Sequence, residues 1–200
     1  MTRIRALSGV LVLSAVVASA AEPADGNKDP QSSFEARSQP GVGQKFLEKL
    51  TGDWQVVRKF YPRSGEPVET TGVCHQAMIH QGRFLKSEFT FEQNGKQSTG
   101  LGIIGFDADS GRFTSFWTDS RSTRMSVRQS EDKFNGMEIV LFSRSLDANE
   151  KQPRRSRTVT RLEDDGRRIV HRQYTAGQEG KERLVMELKM TQRADVSRGQ

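Results

Sequence analysis

Alternation of apolar and polar residues at period two dominates the chain from Trp54 onward. In Lys181–Gln192, Leu184, Met186, Leu188 and Met190 share one face, while Arg183, Glu187 and Lys189 share the other. In Arg83–Gln93, Leu85, Phe89 and Phe91 fall on one side and Lys86 and Glu88 on the opposite side. One buried and one wet face per strand is the pattern of an antiparallel sheet. Similar stretches occur at Trp54–Tyr61, Val68–Ile79, Lys96–Phe106, Arg112–Asp119, Arg124–Gln129, Met137–Ser145, Arg154–Leu162 and Arg167–Tyr174. Turn chemistry separates them. Asn94-Gly95 is a strong two-residue hairpin signal, and Asp164-Asp165-Gly166 and Asp107–Gly111 supply the same kinds of residue. The count predicts an all-β protein of about ten antiparallel strands. Such a sheet exposes two edges unless it closes, and sequential hairpins close most simply into an up-and-down barrel. A two-sheet β-sandwich is the alternative.

Before the strands, the pattern changes. Val42, Phe46, Leu47 and Leu50 recur at helical spacing and predict one short helix, ended by Thr51-Gly52. Residues 22–41 carry Pro23, Pro30 and Pro40 with a single large apolar residue, Phe34, and read as a disordered linker. Residues 1–21 read as a signal peptide: Arg3 and Arg5, then apolar Ala6–Val17, then Ala18-Ser19-Ala20 as a small-residue cleavage site. The apolar run is about a dozen residues, short of the ~20 needed to span a bilayer. The expected protein is exported, to the periplasm or beyond, with no membrane span, a barrel domain over 42–193 and a disordered tail over 194–200.

Composition narrows the partners. The 200-residue chain has 31 Lys+Arg and 25 Asp+Glu; without Arg3 and Arg5 the excess falls from +6 to +4. Much of it lies in Lys151–Arg172, where Arg154, Arg155, Arg157, Arg161, Arg167, Arg168 and Arg172 occur. These arginines alternate with Ser, Thr, Val and Ile, as on a solvated strand face, and export argues against nucleic acid as a partner. Cys74 is the sole cysteine, so no intramolecular disulfide forms, and a small buried strand residue is its expected role.

Candidate chemistry is sparse. Period-two geometry places Phe113, Ser115, Trp117 and Asp119 on one face of their strand. If that face is interior, Trp117 lines a cavity with Asp119 at its rim; otherwise Trp117 packs a filled core. His75 shares a face with Val73, Ala77 and Ile79, either as a core residue or as a lumen group. Arg83 and Arg124 each begin a strand, where a cation would sit at a barrel mouth. His171 and Tyr174 lie on opposite faces, so one of them points inward, and Tyr174 is the one taken as a ligand contact. His80 falls at a strand end. The candidate ligand-binding set is therefore His75, Arg83, Trp117, Asp119, Arg124 and Tyr174. No G-x-S-x-G, H-E-x-x-H, C-x-x-C or phosphate-binding loop occurs, and no motif specifies a metal or cofactor. The glycines of Gly100–Gly105 lie within a strand, where they permit a bend or bulge.

Taken in order, Gly52-Asp53-Trp54, Gly82-Arg83-Phe84-Leu85, Gly105-Phe106-Asp107, Trp117-Thr118-Asp119-Ser120 and Met186-Glu187…Thr191-Gln192-Arg193 form a pattern. It resembles a mostly bacterial family, the domain of unknown function 1579. Members of that family typically carry Tyr where Phe106 stands, and often a Tyr near Met190. The short helix leading into Gly52-Asp53-Trp54 is similar to the Gly-x-Trp opening of lipocalin-like (calycin-type) barrels. The resemblance implies a lipocalin-like barrel and no particular activity. In calycin-type barrels a basic residue of the last strand packs over the opening Trp, which makes Arg193, or Lys189, the implied structural partner of Trp54. The expected function is non-enzymatic binding of a small apolar or amphipathic ligand inside the barrel. The alternatives are a small-molecule enzyme using a His/Asp pair (His75 or His171 with Asp119) and a filled barrel serving as a surface module.

Overall fold

The computed structural model describes residues 38–144, 155–176 and 181–193. The expected signal peptide, most of the linker, Arg154 and the tail lie outside the described residues. Among the described residues a single α-helix, α1 (Val42–Glu48), precedes ten strands. These are β1 (Gly52–Phe60), β2 (Val68–Ile79), β3 (Phe84–Gln93), β4 (Lys96–Asp107), β5 (Arg112–Asp119), β6 (Ser126–Gln129), β7 (Glu138–Arg144), β8 (Arg155–Glu163), β9 (Arg168–Ala176) and β10 (Glu182–Gln192). Each strand pairs antiparallel with its sequence neighbours, and β1 pairs with β10, closing the sheet. The protein is a ten-stranded up-and-down barrel of lipocalin-like form. The sandwich alternative fails because no strand is left with a free edge.

α1 lies across one end, against β3 and β4. Its buried side is Gly43, Gln44, Phe46 and Leu47, whereas Val42 is 66% exposed. The helical face is thus rotated from the expected one, because Gly43 rather than Val42 faces the barrel. A Cβ at Gly43 would stand 2.1 Å from Cγ of Phe106, so only glycine lets the helix come this close. Gln44 Nε2 donates to the Phe106 carbonyl at 2.7 Å and anchors α1 to β4. Below the helix, Phe106 and Phe113 pack with tilted rings (4.8 Å between centroids), Phe134 meets Phe46 and Phe113 edge to face, and the four plug this end.

Trp54 is 1% exposed, and its indole N–H donates to the Leu50 carbonyl at 3.1 Å. The expected cover from the last strand is not there. Opposite Trp54 stands Gln192, so parity turns the exposed Arg193 outward, where its backbone N–H bonds the Asp53 carbonyl. Lys189 also faces out and pairs with Glu187 at 3.4 Å. The one bulge in β10 falls between Leu184 and Met186, too far upstream to change the parity of Arg193. The same bulge moves Leu184 off the lumen face that Met186, Leu188 and Met190 keep, placing it opposite Tyr174.

The arginines of β8 and β9 form ion pairs on the outer surface. Arg155 pairs with Glu131, Arg157 with Glu182, Arg161 with Glu138, Arg168 with Glu163 and Asp164, and Arg172 with Glu187. Among the described residues this stretch is a laced, solvated sheet face. Cys74 is buried, and burial drives its thiol pKa up. No helix among the described residues is long and apolar enough to cross a membrane.

Candidate functional site

Above the aromatic plug the barrel encloses a cavity of about 320 Å³. Its lower walls are Leu50, Leu85, Ile139, Ile169, Leu188 and Met190. Trp117 rises from β5 and lies flat over β4. A Cβ on Gly100 would be 2.3 Å from Trp117 Cη2, and one on Gly102 would be 3.3 Å from Cε3. These glycines therefore make a slot for an indole, and the β4–β5 register runs through them without a bulge. Phe89 meets the ring edge-on at 5.4 Å.

At the mouth, the Trp117 indole N–H donates to Asp119 Oδ2 at 3.3 Å. Arg121 binds the same carboxylate through its backbone N–H at 2.9 Å and its Nε and Nη2 at 3.2 Å. Burial alone would raise the Asp119 pKa; the donors from Arg121 and Trp117 outweigh it and hold the carboxyl below its ordinary value. Arg58 lies nearby, stacked 4.1 Å over the Phe91 ring and bonded to Thr70 Oγ1. Its pKa is lowered by burial and by the charge of Arg121.

Deeper, the lumen is polar on one side. Gln76 Nε2 donates to Ser87 Oγ at 2.8 Å, leaving Gln76 Oε1 buried without a partner. Across from them Thr160 Oγ1 and His171 Nδ1 are 2.8 Å apart. Desolvation, with a smaller contribution from the Arg128 charge, pushes the His171 pKa down to about 4, so the imidazole is neutral at pH 7. Arg128 extends from β6, opposite Ser115, into the same cavity, and its Nε is buried without a partner.

Two of the expected contacts, Trp117 and Asp119, border this cavity; four do not. His75 faces outward, with a 54% exposed side chain whose Nδ1 lies 2.9 Å from Asp53 Oδ1. The lumen side of β2 instead carries Thr70, Gly72, Cys74 and Gln76, placing polar groups inside and Val73 outside. Arg83 sits in the turn before β3, where Nη2 bonds the Ser38 carbonyl. Arg124 is exposed in the loop before β6, because that strand begins two residues later than expected. Tyr174 faces out with Arg157 stacked 4.5 Å above its ring, so His171 is the inward member of β9. A His75–Asp119 pair does not assemble. His171 and Asp119 share the lumen, but Thr160 holds one and Arg121 with Trp117 the other. Among the described residues no group of three or more His, Cys, Asp or Glu side chains is placed to hold a metal.

Sequence reasoning missed Arg58, Gln76, Arg121, Arg128, Thr160 and Gln173 as lining residues. A signal was available in the hairpins. The turn His80–Arg83 pairs Ile79 with Phe84, so an inward Leu85 forces Met78, Gln76 and Cys74 inward. Equally, an inward Phe113 and Trp117 commit Arg128 to the lumen.

Residues 39–192 match the family described as "Protein of unknown function (DUF1579)". No curated protein matches the sequence. Among known structures, the crystal structure of Rv2717c from M. tuberculosis is similar over 78% of this chain and 100% of that one, with a TM-score of 0.57 and 13% identity. The S-type phycobiliprotein lyase CPES from Guillardia theta is more distant: 9% identity, 76% of this chain and 93% of that one, TM-score 0.49. The first likeness is one of fold.

Proposed function

The chain belongs to the DUF1579 family, whose description assigns no activity, and on that premise we propose that it is a non-enzymatic binder of a small amphipathic molecule held inside the barrel. The observation that carries this reading is the cavity of about 320 Å³ inside the barrel, open at its mouth. That volume lies at the lower end of the range of small-molecule sites, about 300–1,000 Å³. The walls combine wide apolar area with a few convergent polar groups, the composition that gives such sites affinity and orientation. A filled barrel would have no room for Trp117 and Phe89 to present their rings to an open space.

The neutral probe N-phenyl-1-naphthylamine tests this. One probe per chain is expected to bind saturably, with its emission rising and Trp117 fluorescence quenched. Failure of the probe to bind at any concentration below its solubility limit removes the reading.

Export belongs to the same proposal. It is supported by the basic, apolar and small-residue order of residues 1–21. N-terminal sequencing of the protein from the cell envelope or medium should then find Ala21 or Glu22 first. An intact Met1 or Thr2 start on protein confined to the cytoplasm would contradict export.

A further inference from the structure

Charge inside the lumen is unbalanced. Among the described residues Arg58, Arg121 and Arg128 border it with Asp119 as the one carboxylate, and His171 is neutral, so two positive charges are in excess. The three arginines are not equivalent. Arg121 is neutralised by Asp119. Arg58 rests on the Phe91 ring and Thr70 at the mouth. Arg128 lies deeper, and among the described residues no carboxylate stands within ion-pair distance of it. Desolvation alone shifts its pKa, with no opposite charge to offset the effect.

An arginine cannot escape such a site by losing its proton. A desolvated guanidinium without a counter-charge is costly, so the fold retains a deep cation that only something entering the lumen can complete. Beside it His171 is kept uncharged, with Nδ1 held by Thr160; its Nε2 is the nitrogen left for a ligand.

We propose, resting on the lumen-binding reading above, that Arg128 is the anchor for the carboxylate of an apolar monocarboxylic acid, whose hydrocarbon body lies against Leu85, Phe89, Ile139, Ile169 and Leu188. The class follows from charge and shape. One deep guanidinium matches a single negative charge, and its planar fork fits the two oxygens of a carboxylate side by side. A phosphate monoester at pH 7 carries about 1.5–2 negative charges, more than the single guanidinium at this depth matches, because the other excess positive charge, Arg58, stands at the mouth on Phe91 and Thr70. The acid enters from the mouth lined by Arg58 and Arg121, whose positive field favours an anion over its neutral counterpart.

Displacement of N-phenyl-1-naphthylamine by decanoate and by 1-decanol separates the two ideas, because these competitors differ only in the head group. Decanoate should displace the probe at a concentration at least about tenfold lower than 1-decanol, as expected when a charge-assisted hydrogen bond replaces a neutral one. In Arg128→Met that advantage, read as the ratio of the two displacing concentrations within one protein, should shrink to within about threefold; Arg128→Lys should recover part of it. Equal displacement by the two competitors in the natural protein overturns the carboxylate assignment and leaves lumen binding standing. So does an Arg128→Met protein that keeps the full preference. Should Arg128→Met fail to fold, Arg128→Gln takes its place: a decanoate preference cut to within about threefold supports the anchor, and a full preference overturns it. Absence of probe binding would instead remove the underlying reading.

Discussion

Replacing Trp54 with alanine is expected to lower unfolding stability by about 3–5 kcal/mol, the range for deleting a large aromatic side chain from a packed core. The indole is 1% exposed and belongs to the cluster that also holds Leu47, Leu50, Val56, Cys74 and Met190. It sits where β1 meets both β10 and β2, opposite Gln192 and Cys74, so its loss opens a void at the seam that closes the barrel. The Leu50 carbonyl, which accepts the indole N–H, would also lose its donor. Stabilities of single domains are about 5–15 kcal/mol, so the change consumes a large share of the total. Urea unfolding followed by circular dichroism measures it. Trp54→Phe should cost less, because most of the volume remains and the lost donor is the main penalty. A loss below about 1 kcal/mol in Trp54→Ala would show that the β1–β10 closure does not depend on this residue.

The second large effect is one of pH. His171 has its pKa pushed down to about 4 in the folded protein, against 6.5 for an ordinary histidine. Between those values the unfolded chain takes up a proton that the folded one refuses. Stability is therefore fully present above pH 6.5, falls as the pH drops, and levels off below the folded pKa of about 4. The total is roughly 3 kcal/mol, with about 2 kcal/mol of it gone by pH 5. The groups that face the ring reinforce this direction. Thr160 carries no charge, and Arg128 opposes a second cation. Carboxylates with lowered pKa values, such as Asp119 and Glu187, add their own losses only lower, as the pH falls through their ordinary values of 3.8 and 4.5 toward their depressed ones. Urea unfolding at pH 7 and pH 5 isolates the histidine. His171→Asn, which cannot titrate, should lose most of the difference. A natural protein equally stable at both pH values would contradict the desolvated, neutral assignment.

The architecture was legible because hairpin turns and period-two alternation report local geometry directly. Asn94-Gly95 and the Leu85, Phe89 and Phe91 face settled β3 and β4, and nearly all strand limits fall within two residues of those expected. What the pattern could not settle is which face looks inward when polarity is mixed. On β2 the outward face carries Val73 and the inward one Thr70 and Gln76; on β9 the inward face carries His171 and Gln173. A ligand cavity inverts the usual rule, since its walls need polar groups inside, and alternation read as hydrophobic-in then assigns the wrong side. Tyr174 and His75 were misplaced for that reason. Arg124 failed differently: loop and strand residues share the same composition there, and the strand start decides. The glycines opposite Trp117 show a third limit, because a slot for a ring on the neighbouring strand leaves no trace in the alternation of its own strand.

Filling the lumen is the sharpest check that the ligand binds inside the barrel. Ser115 lines the cavity on β5 between Phe113 and Trp117, opposite Arg128. Ser115→Phe places a ring in the open space while leaving the outer surface untouched. Titrated with N-phenyl-1-naphthylamine, the natural protein should bind one probe per chain, and Ser115→Phe, with an unchanged β-sheet circular dichroism spectrum, should bind none. A folded Ser115→Phe protein that takes up the probe as well as its parent would place binding on the outside of the barrel and contradict the account.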